Sequence, residues 1–318
     1  MVNGGDHAHH APVTSLLVDP TTGRPILMAH ARQSRPFLTG AQSGDKPCPF
    51  CPGNEHETPP SCDAWPLVGE PGPAPAPRNE PGWDVRVFPN KYPANGCHEV
   101  IAEGATHADQ ASDLDVATWR RVVRMWQRRI RAIEAMPSIG CAFLFKNVGA
   151  AAGASIVHSH SQILGLAEPP PRLLLEQQLA NALPHCPWCR TIGTAQRDGR
   201  VVCETDSHVV LTPDPPKLPN EVWTLPKRCD DDFLTTDADS LGTALHTLFT
   251  AISGALKRPA WNLWLHRMPR ARFHWHFELQ PRTGQLAGLE LGGDMYINSI
   301  SAVASAEKLR LGLGESTR

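Results

Sequence analysis

The two halves of this chain carry the same series of motifs in the same order. A Cys-Pro-x-Cys pair opens each series, at Cys48/Cys51 and at Cys186/Cys189, and a His-x-His pair closes each, at His158/His160 and at His274/His276. The separation between equivalent motifs falls steadily along the chain, as loop shortening in one copy would produce. We therefore predict an internal duplication of an α+β half-domain, with an N-terminal half at residues 1–168 and a C-terminal half at residues 169–318.

Hydrophobic spacing predicts the elements of each half. Apolar residues recur every three or four positions over residues 113–136 and again over residues 241–256, which predicts one amphipathic helix in each half. Residues 16–28 have the pattern of a hairpin, and the apolar run at residues 141–145 predicts a buried strand. Residues 66–82 are rich in Pro, Gly and Ala and are expected to be irregular. The whole pattern is typical of antiparallel sheets with packed helices.

Composition restricts the partners and the role of the cysteines. The net charge of −2 gives no reason to expect a nucleic-acid or membrane-surface partner. No apolar run approaches the roughly 20 residues that span a bilayer. The first residues lack the features of a signal peptide, so we expect a cytoplasmic protein. The nine cysteines are odd in number, which argues against a disulfide framework, and the two Cys-Pro-x-Cys pairs favour metal binding instead.

Each cysteine pair can be completed to a set of four metal ligands. Eight residues after Glu99 lies His107, and eight residues after the equivalent Glu221 lies Cys229. The predicted sets are Cys48, Cys51, His107 and His158 in the first half, and Cys186, Cys189, Cys229 and His274 in the second. Mixed sulfur and imidazole sets of this kind favour zinc, so we expect two zinc ions per chain.

Alternatives remain open for these residues. His107 lies in a polar stretch and would otherwise be a surface histidine, whereas Cys229 would otherwise be a buried thiol. A different metal site, which would compete with the second cysteine set, could be formed by His266, His274, His276 and Glu176.

The first His-x-His pair predicts different roles for its two histidines. On a strand both imidazoles lie on one face, so His158 can bind the metal while His160 acts as a nucleophile toward phosphorus. Gly153 and Ser155 precede the pair and can bring backbone N–H groups and a hydroxyl to phosphate oxygens. Gln162 can donate an amide N–H to a phosphoryl group but cannot act as an acid. The alternative is that His160 and Gln162 form a satisfied buried pair.

The second copy is an internal control for this prediction. His276 is equivalent to His160, but Glu278 stands in place of Gln162 and no Gly-x-Ser sequence precedes the pair. We therefore expect the chemistry in the first half and a structural role for the second half.

The ordered motifs resemble those of the galactose-1-phosphate uridylyltransferase family, within the histidine-triad superfamily. The matching segments are residues 31–36, 48–55, 87–91, 145–147, 153–162 and 289–298. The resemblance implies duplicated histidine-triad-like half-domains, structural zinc and a homodimer. It also implies ping-pong transfer, in which His160 takes a nucleotidyl group from a nucleoside diphosphate sugar, releases sugar 1-phosphate and passes the group to an acceptor.

The same resemblance implies substrate contacts. Ser155 and Gln162 would hold the phosphoryl group, and the residues implied to contact nucleotide or phosphates are Arg32, Arg35, Phe88, Asn90, Lys91, Asn147 and Gly153. Taken alone, the two arginines are also consistent with solvated side chains, Phe88 with core packing, and Asn90-Lys91 with a turn.

Two features depart from the uridylyltransferase pattern. Those enzymes usually carry His-Pro-His-Gly-Gln, whereas Ser159 and Ser161 stand at the variable positions here. This version is more similar to the branch that contains ADP-glucose phosphorylase, which moves adenylyl groups between ADP-sugar and phosphate. The hexose-contacting lysine and aromatic residue expected near residues 288–293 are also not evident.

The sequence thus predicts a nucleotidyltransferase similar to galactose-1-phosphate uridylyltransferase, acting on a nucleoside diphosphate sugar and a hexose 1-phosphate. The first alternative is an ADP-sugar phosphorylase that uses phosphate as the acceptor. A hydrolase of the histidine-triad type is disfavoured by Gln162. The alternative from another class is a zinc-stapled nucleotide-binding protein without turnover.

Overall fold

The structure, a computed structural model, describes residues 15–29, 32–33, 47–69 and 79–315. The helices are α1 (Val116–Glu134), α2 (Pro171–Ala182), α3 (Pro187–Arg197), α4 (Ala238–Leu256), α5 (Gly288–Gly293) and α6 (Ala302–Glu315). The strands are β1 (Ser15–Val18), β2 (Pro25–Met28), β3 (Asp63–Pro66), β4 (Trp83–Pro89), β5 (His98–Glu103), β6 (Cys141–Val148), β7 (His160–Leu166), β8 (Val201–Glu204), β9 (His208–Leu211), β10 (Val222–Pro226), β11 (Trp261–His266) and β12 (His276–Pro281).

Ten of these strands form one antiparallel sheet in the order β3-β4-β5-β7-β6-β11-β12-β10-β9-β8, and β1 and β2 form a separate hairpin. The predicted α+β class is therefore confirmed. From either edge of the sheet, three strands follow chain order and the last two exchange places, and β6 and β11 join the halves at the centre. This matching order supports the proposed duplication, whose boundary at residues 168/169 stays a prediction.

The predicted local elements are found with modest shifts of their ends. The hairpin is β1–β2, the two amphipathic helices are α1 and α4, and the apolar run at residues 141–145 is the first part of β6. The segment expected to be irregular falls largely outside the described residues, since residues 70–78 are not described. Helix α1 begins where the Asp115 side chain accepts a hydrogen bond from the backbone N–H of Thr118 at 2.7 Å.

The two faces of the sheet have different environments. One face carries residues such as Ile101, Leu144 and Ile163, which pack against buried residues of α1 and α4 in the main core. Because side chains alternate along a strand, His160 and Gln162 in β7 point to the opposite face. The candidate site therefore lies on the face of the sheet that is turned away from α1 and α4.

None of the helices within the described ranges is long and apolar enough to cross a membrane.

Candidate active site and metal centres

The first predicted ligand set is brought together in the structure. The donor atoms of Cys48, Cys51, His107 and His158 all lie within 4.8 Å of one another. The Cys51 sulfur lies 3.2 Å from His107 Nδ1 and 3.5 Å from His158 Nδ1. Two thiols and two imidazoles at this spacing are a donor set that suits tetrahedral zinc. These residues therefore fit a metal ion.

The orientation of His158 also suits a metal ligand. Its Nε2–H donates to the carbonyl of Gly104 at 3.0 Å, which leaves Nδ1 directed at Cys51. Burial lowers the pKa of His158 to about 4, so the ring is neutral, as metal binding requires. Burial and the neighbouring Cys48 raise the pKa of Cys51 to about 11. Metal binding would therefore displace a proton from this thiol.

The second half repeats the arrangement with three donors. Cys186, Cys189 and His274 form a group within 4.8 Å, and His274 Nδ1 lies 3.3 Å from the Cys186 sulfur. The His274 Nε2–H donates to the carbonyl of Pro226 at 2.9 Å, as His158 does to Gly104. Cys229 lies beside Cys189, whose pKa is raised to about 12 by burial and by the neighbouring Cys186 and Cys229. The predicted fourth ligand, Cys229, is not among the donors that all lie within 4.8 Å of one another.

A third group differs from the alternative considered from the sequence. Glu278, rather than His274, joins Glu176, His266 and His276 within 4.8 Å. Two cations contact Glu278: Arg172 donates to both carboxylate oxygens at 2.8 Å, and Lys217 lies 3.0 Å from Oε2.

Burial opposes ionisation of Glu278, but the nearby His276, His266, Lys217 and Arg172 hold its pKa well below the usual range. Arg172 and Lys217, which lie outside the third group, therefore already balance the charge of Glu278.

His160 is held in a defined tautomer. Strand β7 begins at His160, so the expectation that both histidines lie on the strand is wrong for His158, which precedes it. The backbone carbonyl of His158 instead accepts a hydrogen bond from His160 Nδ1–H at 2.8 Å. In the neutral ring the lone pair is then on Nε2. The same bond joins His276 to His274 in the second half, at 3.1 Å.

Gln162 is anchored by two side chains. Its Oε1 lies 2.9 Å from His98 Nε2 and 3.3 Å from Asn90 Nδ2. Asn90, which the sequence predicts to contact substrate, contacts the predicted catalytic residue Gln162 directly, and its substrate contact stays a prediction. His98 was not identified from the sequence. The sequence shows only that His98 lies two residues before Val100, and so on the same face of a strand. That Val100 lies opposite Gln162 in the sheet is known only from the structure.

A buried ion pair behind His160 was also missed. The Lys146 ammonium lies 2.5 Å from the Glu103 carboxylate, and it donates to Ser159 Oγ at 2.8 Å and to the carbonyl of His160 at 3.1 Å. Ser159 Oγ donates to Glu103 at 2.9 Å. The serine between the two histidines is therefore part of a polar network that a proline could not join.

The other residues predicted to contact substrate each have different neighbours in the structure. Gly153 is exposed with φ +81°, and Ser155 is half-buried in the same loop. Arg32 donates a hydrogen bond to the carbonyl of Tyr92 at 3.0 Å. Lys91, the residue before Tyr92, donates one to the carbonyl of Glu57 at 3.4 Å.

Phe88 is buried and packs edge-on against Phe50, so its side chain belongs to the core. Arg35 lies outside the described residues.

Asn147 is hydrogen-bonded to Asn262, a residue that lines a pocket. Its Oδ1 accepts a hydrogen bond from Asn262 at 2.8 Å, and Asn262 in turn accepts one from Arg282 at 2.5 Å. Asn262 and Arg282 line a pocket of about 640 Å³ together with Ala152. The pocket therefore connects the loop before His160 with the C-terminal half.

Comparisons with known proteins find similar sequences over part or most of the chain. The model of the family "Galactose-1-phosphate uridyl transferase, N-terminal domain" matches residues 78–170. The ADP-glucose phosphorylase of Arabidopsis thaliana is 28% identical over 92% of this chain and 91% of its own length. The galactose-1-phosphate uridylyltransferase of Thermotoga maritima is 26% identical over 67% of this chain and 66% of its own.

Two solved structures extend the similarity to the fold. The crystal structure of the Arabidopsis thaliana ADP-glucose phosphorylase with bound ADP-glucose is 28% identical, with a TM-score of 0.72 over 94% of this chain and 99% of that one. A uridylyltransferase structure is 24% identical, with a TM-score of 0.76 over 95% of this chain and 99% of that one. The second similarity is one of fold alone.

Proposed function

We propose that this chain, a relative of the galactose-1-phosphate uridylyltransferase family as its motifs predicted, is a nucleotidyltransferase that works through a covalent nucleotidyl-His160 intermediate. Its relatives handle nucleotide sugars and sugar phosphates. The observation that carries the proposal is the hydrogen bond from His160 Nδ1–H to the carbonyl of His158, because it places the ring proton on Nδ1 and the nucleophilic lone pair on Nε2.

The reaction has two displacements at the α-phosphorus. His160 Nε2 forms a bond to phosphorus as the bond to the β-phosphate oxygen breaks, and sugar 1-phosphate leaves with that electron pair. An acceptor phosphate oxygen then attacks, the N–P bond breaks, and His160 returns to its neutral form. The Gln162 amide would donate to a phosphoryl oxygen, with Ser155 and Gly153 on the preceding loop. Because glutamine has no acidic proton, the intermediate can wait for the acceptor.

The metal centres would act by positioning. Cys48, Cys51, His107 and His158 would hold one zinc, and Cys186, Cys189 and His274, with Cys229 beside them, would hold the second. When bound, zinc supplies a structural cross-link and no reacting group. Fixing the His158 ring also fixes the position of its carbonyl, which in turn orients His160.

The preferred substrates in this proposal are an ADP-sugar and phosphate. A relative that matches over 92% of this chain is an ADP-glucose phosphorylase. Ser159 supports the same branch, since its hydroxyl is bonded within the Lys146–Glu103 network. This reverses the order of preference predicted from the sequence. Uridylyl transfer from UDP-glucose to a hexose 1-phosphate is the second candidate, favoured by the family model and by the Thermotoga maritima relative named galactose-1-phosphate uridylyltransferase.

Labelling with the substrate's own α-phosphate tests the proposal. The protein would be incubated with ADP-glucose or UDP-glucose carrying a radioactive α-phosphate and no acceptor, and the label retained after denaturation would be measured. We expect retention from ADP-glucose by the wild type and by the matched control His276→Ala, but not by His160→Ala. Retention from UDP-glucose alone would support the second candidate. Label retained by His160→Ala would contradict the nucleophile.

The other classes give different outcomes in the same experiment. Rapid release of free nucleotide without an acceptor would indicate a hydrolase. Reversible binding with neither label nor release would indicate a nucleotide-binding protein without turnover. The cytoplasmic location and the homodimer stay predictions, and sedimentation of the purified protein would measure the oligomeric state.

A further inference from the structure

We propose that His98 is a positioning residue that fixes the carboxamide of Gln162, so that its NH2 group, and not its oxygen, is presented to the phosphoryl group on His160. The role rests on the proposed function, but the geometry that supports it does not. His98 and Gln162 are both buried, with 5% and 4% of their surfaces exposed. A buried amide that can turn over would offer a phosphoryl oxygen an acceptor as often as a donor.

Two backbone N–H groups define the donors in this network. The N–H of Tyr92 donates to Asn90 Oδ1 at 2.9 Å, so Asn90 Nδ2 is the donor end of that side chain. The N–H of Ala94 donates to His98 Nδ1 at 3.0 Å, so the His98 proton is on Nε2. Because a backbone N–H can only donate, both assignments follow without a choice of tautomer or amide orientation. Asn90 Nδ2 and His98 Nε2 also lie 3.2 Å apart, but since both nitrogens then carry protons, this contact is not a hydrogen bond.

Both donors then meet the same oxygen. His98 Nε2 lies 2.9 Å from Gln162 Oε1, and Asn90 Nδ2 lies 3.3 Å from it. Two N–H groups use both lone pairs of the oxygen, and the Gln162 nitrogen must lie on the other side of the carboxamide. Turning the amide over would place its N–H groups against two other N–H groups in a buried position. His98, which makes the shorter contact, therefore holds the orientation.

The second half of the chain lacks both partners of this pair. Asn220 precedes Glu221 as His98 precedes Glu99, and Glu278 stands in place of Gln162. The carboxylate of Glu278 is held by Arg172 and Lys217. The histidine is thus absent from the half in which there is no amide to orient.

The first test measures the rate of nucleotidyl-His160 formation in single turnovers. We expect His98→Phe to slow it at least tenfold with less than a threefold change in KM, and His98→Gln, which keeps an N–H donor, to recover part of the rate. In a Gln162→Ala background, His98→Phe should cause no further loss. His208→Phe, which alters a buried histidine in β9, controls for a general packing defect and should keep the wild-type rate.

Three kinetic outcomes would overturn the role: a wild-type rate in His98→Phe, multiplying effects of the His98 and Gln162 changes, or an equal loss in His208→Phe. A second measurement is independent of activity. Long-range ¹H–¹⁵N spectra, assigned with His98→Phe, should show His98 as the Nε2–H tautomer and should show a shifted Gln162 side-chain amide in the variant. An Nδ1–H tautomer, or an unshifted amide, would overturn the inference even if no nucleotide sugar labels the protein.

Discussion

The buried ion pair between Lys146 and Glu103 allows a quantitative prediction of stability. The side chains are 1% and 0% exposed, and their charged atoms lie 2.5 Å apart. Burial lowers the pKa of Lys146 and the nearby Glu103 opposes that shift. Lys146→Met keeps most of the apolar stem but leaves the Glu103 carboxylate buried without its cation. Breaking a buried pair in this way costs about 3–5 kcal/mol of unfolding free energy.

The double variant Lys146→Met/Glu103→Leu should regain much of this loss. With both charges removed no uncompensated carboxylate remains, although Ser159 loses two hydrogen-bond partners. We expect the double variant to lie within about 2 kcal/mol of the wild type. Lys227→Met is the matched control, since the Lys227–Glu204 pair has a similar separation of 2.9 Å but is about one-third exposed on each side. That change should cost about 0–1 kcal/mol.

Urea unfolding followed by tryptophan fluorescence would measure these free energies. The Lys146 ammonium lies 5.8 Å from the ring centre of Trp119 and 6.0 Å from that of Trp261, so the signal reports on this part of the core. Additive effects of the two changes, within about 0.5 kcal/mol, would refute the coupling. A cost below about 1 kcal/mol for Lys146→Met would refute the claim that the pair is buried in solution.

Three further predictions concern metal content and pH. Cys48→Ser should remove about one zinc per chain, and Cys186→Ser should remove the other, by elemental analysis of the purified protein. Unchanged metal content in either variant would exclude that site. Glu278→Gln should leave the metal content unchanged, because Arg172 already neutralises this carboxylate, and a fall would show that the third group binds metal. Burial lowers the pKa of His208 to about 4, below its unfolded value of about 6.5. The contribution of the neutral, buried His208 to the free energy of unfolding is therefore fully present above pH 6.5. It is lost as the pH falls from 6.5 to 4, by about 3 kcal/mol at most. Urea midpoints that fall equally in His208→Gln and wild type between pH 7 and pH 5 would contradict this assignment.

The elements that follow a strong local pattern could be predicted from the sequence. Helix α1 is found at Val116–Glu134 because its apolar residues recur at helical spacing and Asp115 caps its first turn. The proximity of the first four candidate ligands could also be predicted, because a ligand set is specified by a few residue types. His107 is exposed, and the register from Glu99 still placed it correctly beside Cys51.

The residues that were missed depend on pairing between distant strands. In the sequence Lys146 alternates with aromatic residues, a pattern that favours a solvent-facing lysine. In the structure its side chain lies on the face covered by the helices and contacts Glu103 of another strand. His98 depends on the turn that brings the N–H of Ala94 to its ring. His158 lies before β7, where its ring is directed at Cys51 and at the carbonyl of Gly104. None of these facts is contained in a local spacing.

Comparison of the two halves separates what the fold provides from what the site adds. Both halves hold a histidine ring between cysteine sulfurs and a backbone carbonyl, and in both the carbonyl of that histidine accepts a hydrogen bond from the Nδ1–H of the histidine two residues later. The oriented imidazole therefore recurs in both halves and does not by itself distinguish the half in which we propose the chemistry. Only the first half adds an amide beside that imidazole and a histidine to orient it. Exchanging Gln162 for the glutamate found in the second half should therefore remove nucleotidyl transfer while leaving the His160–His158 bond and the metal content unchanged.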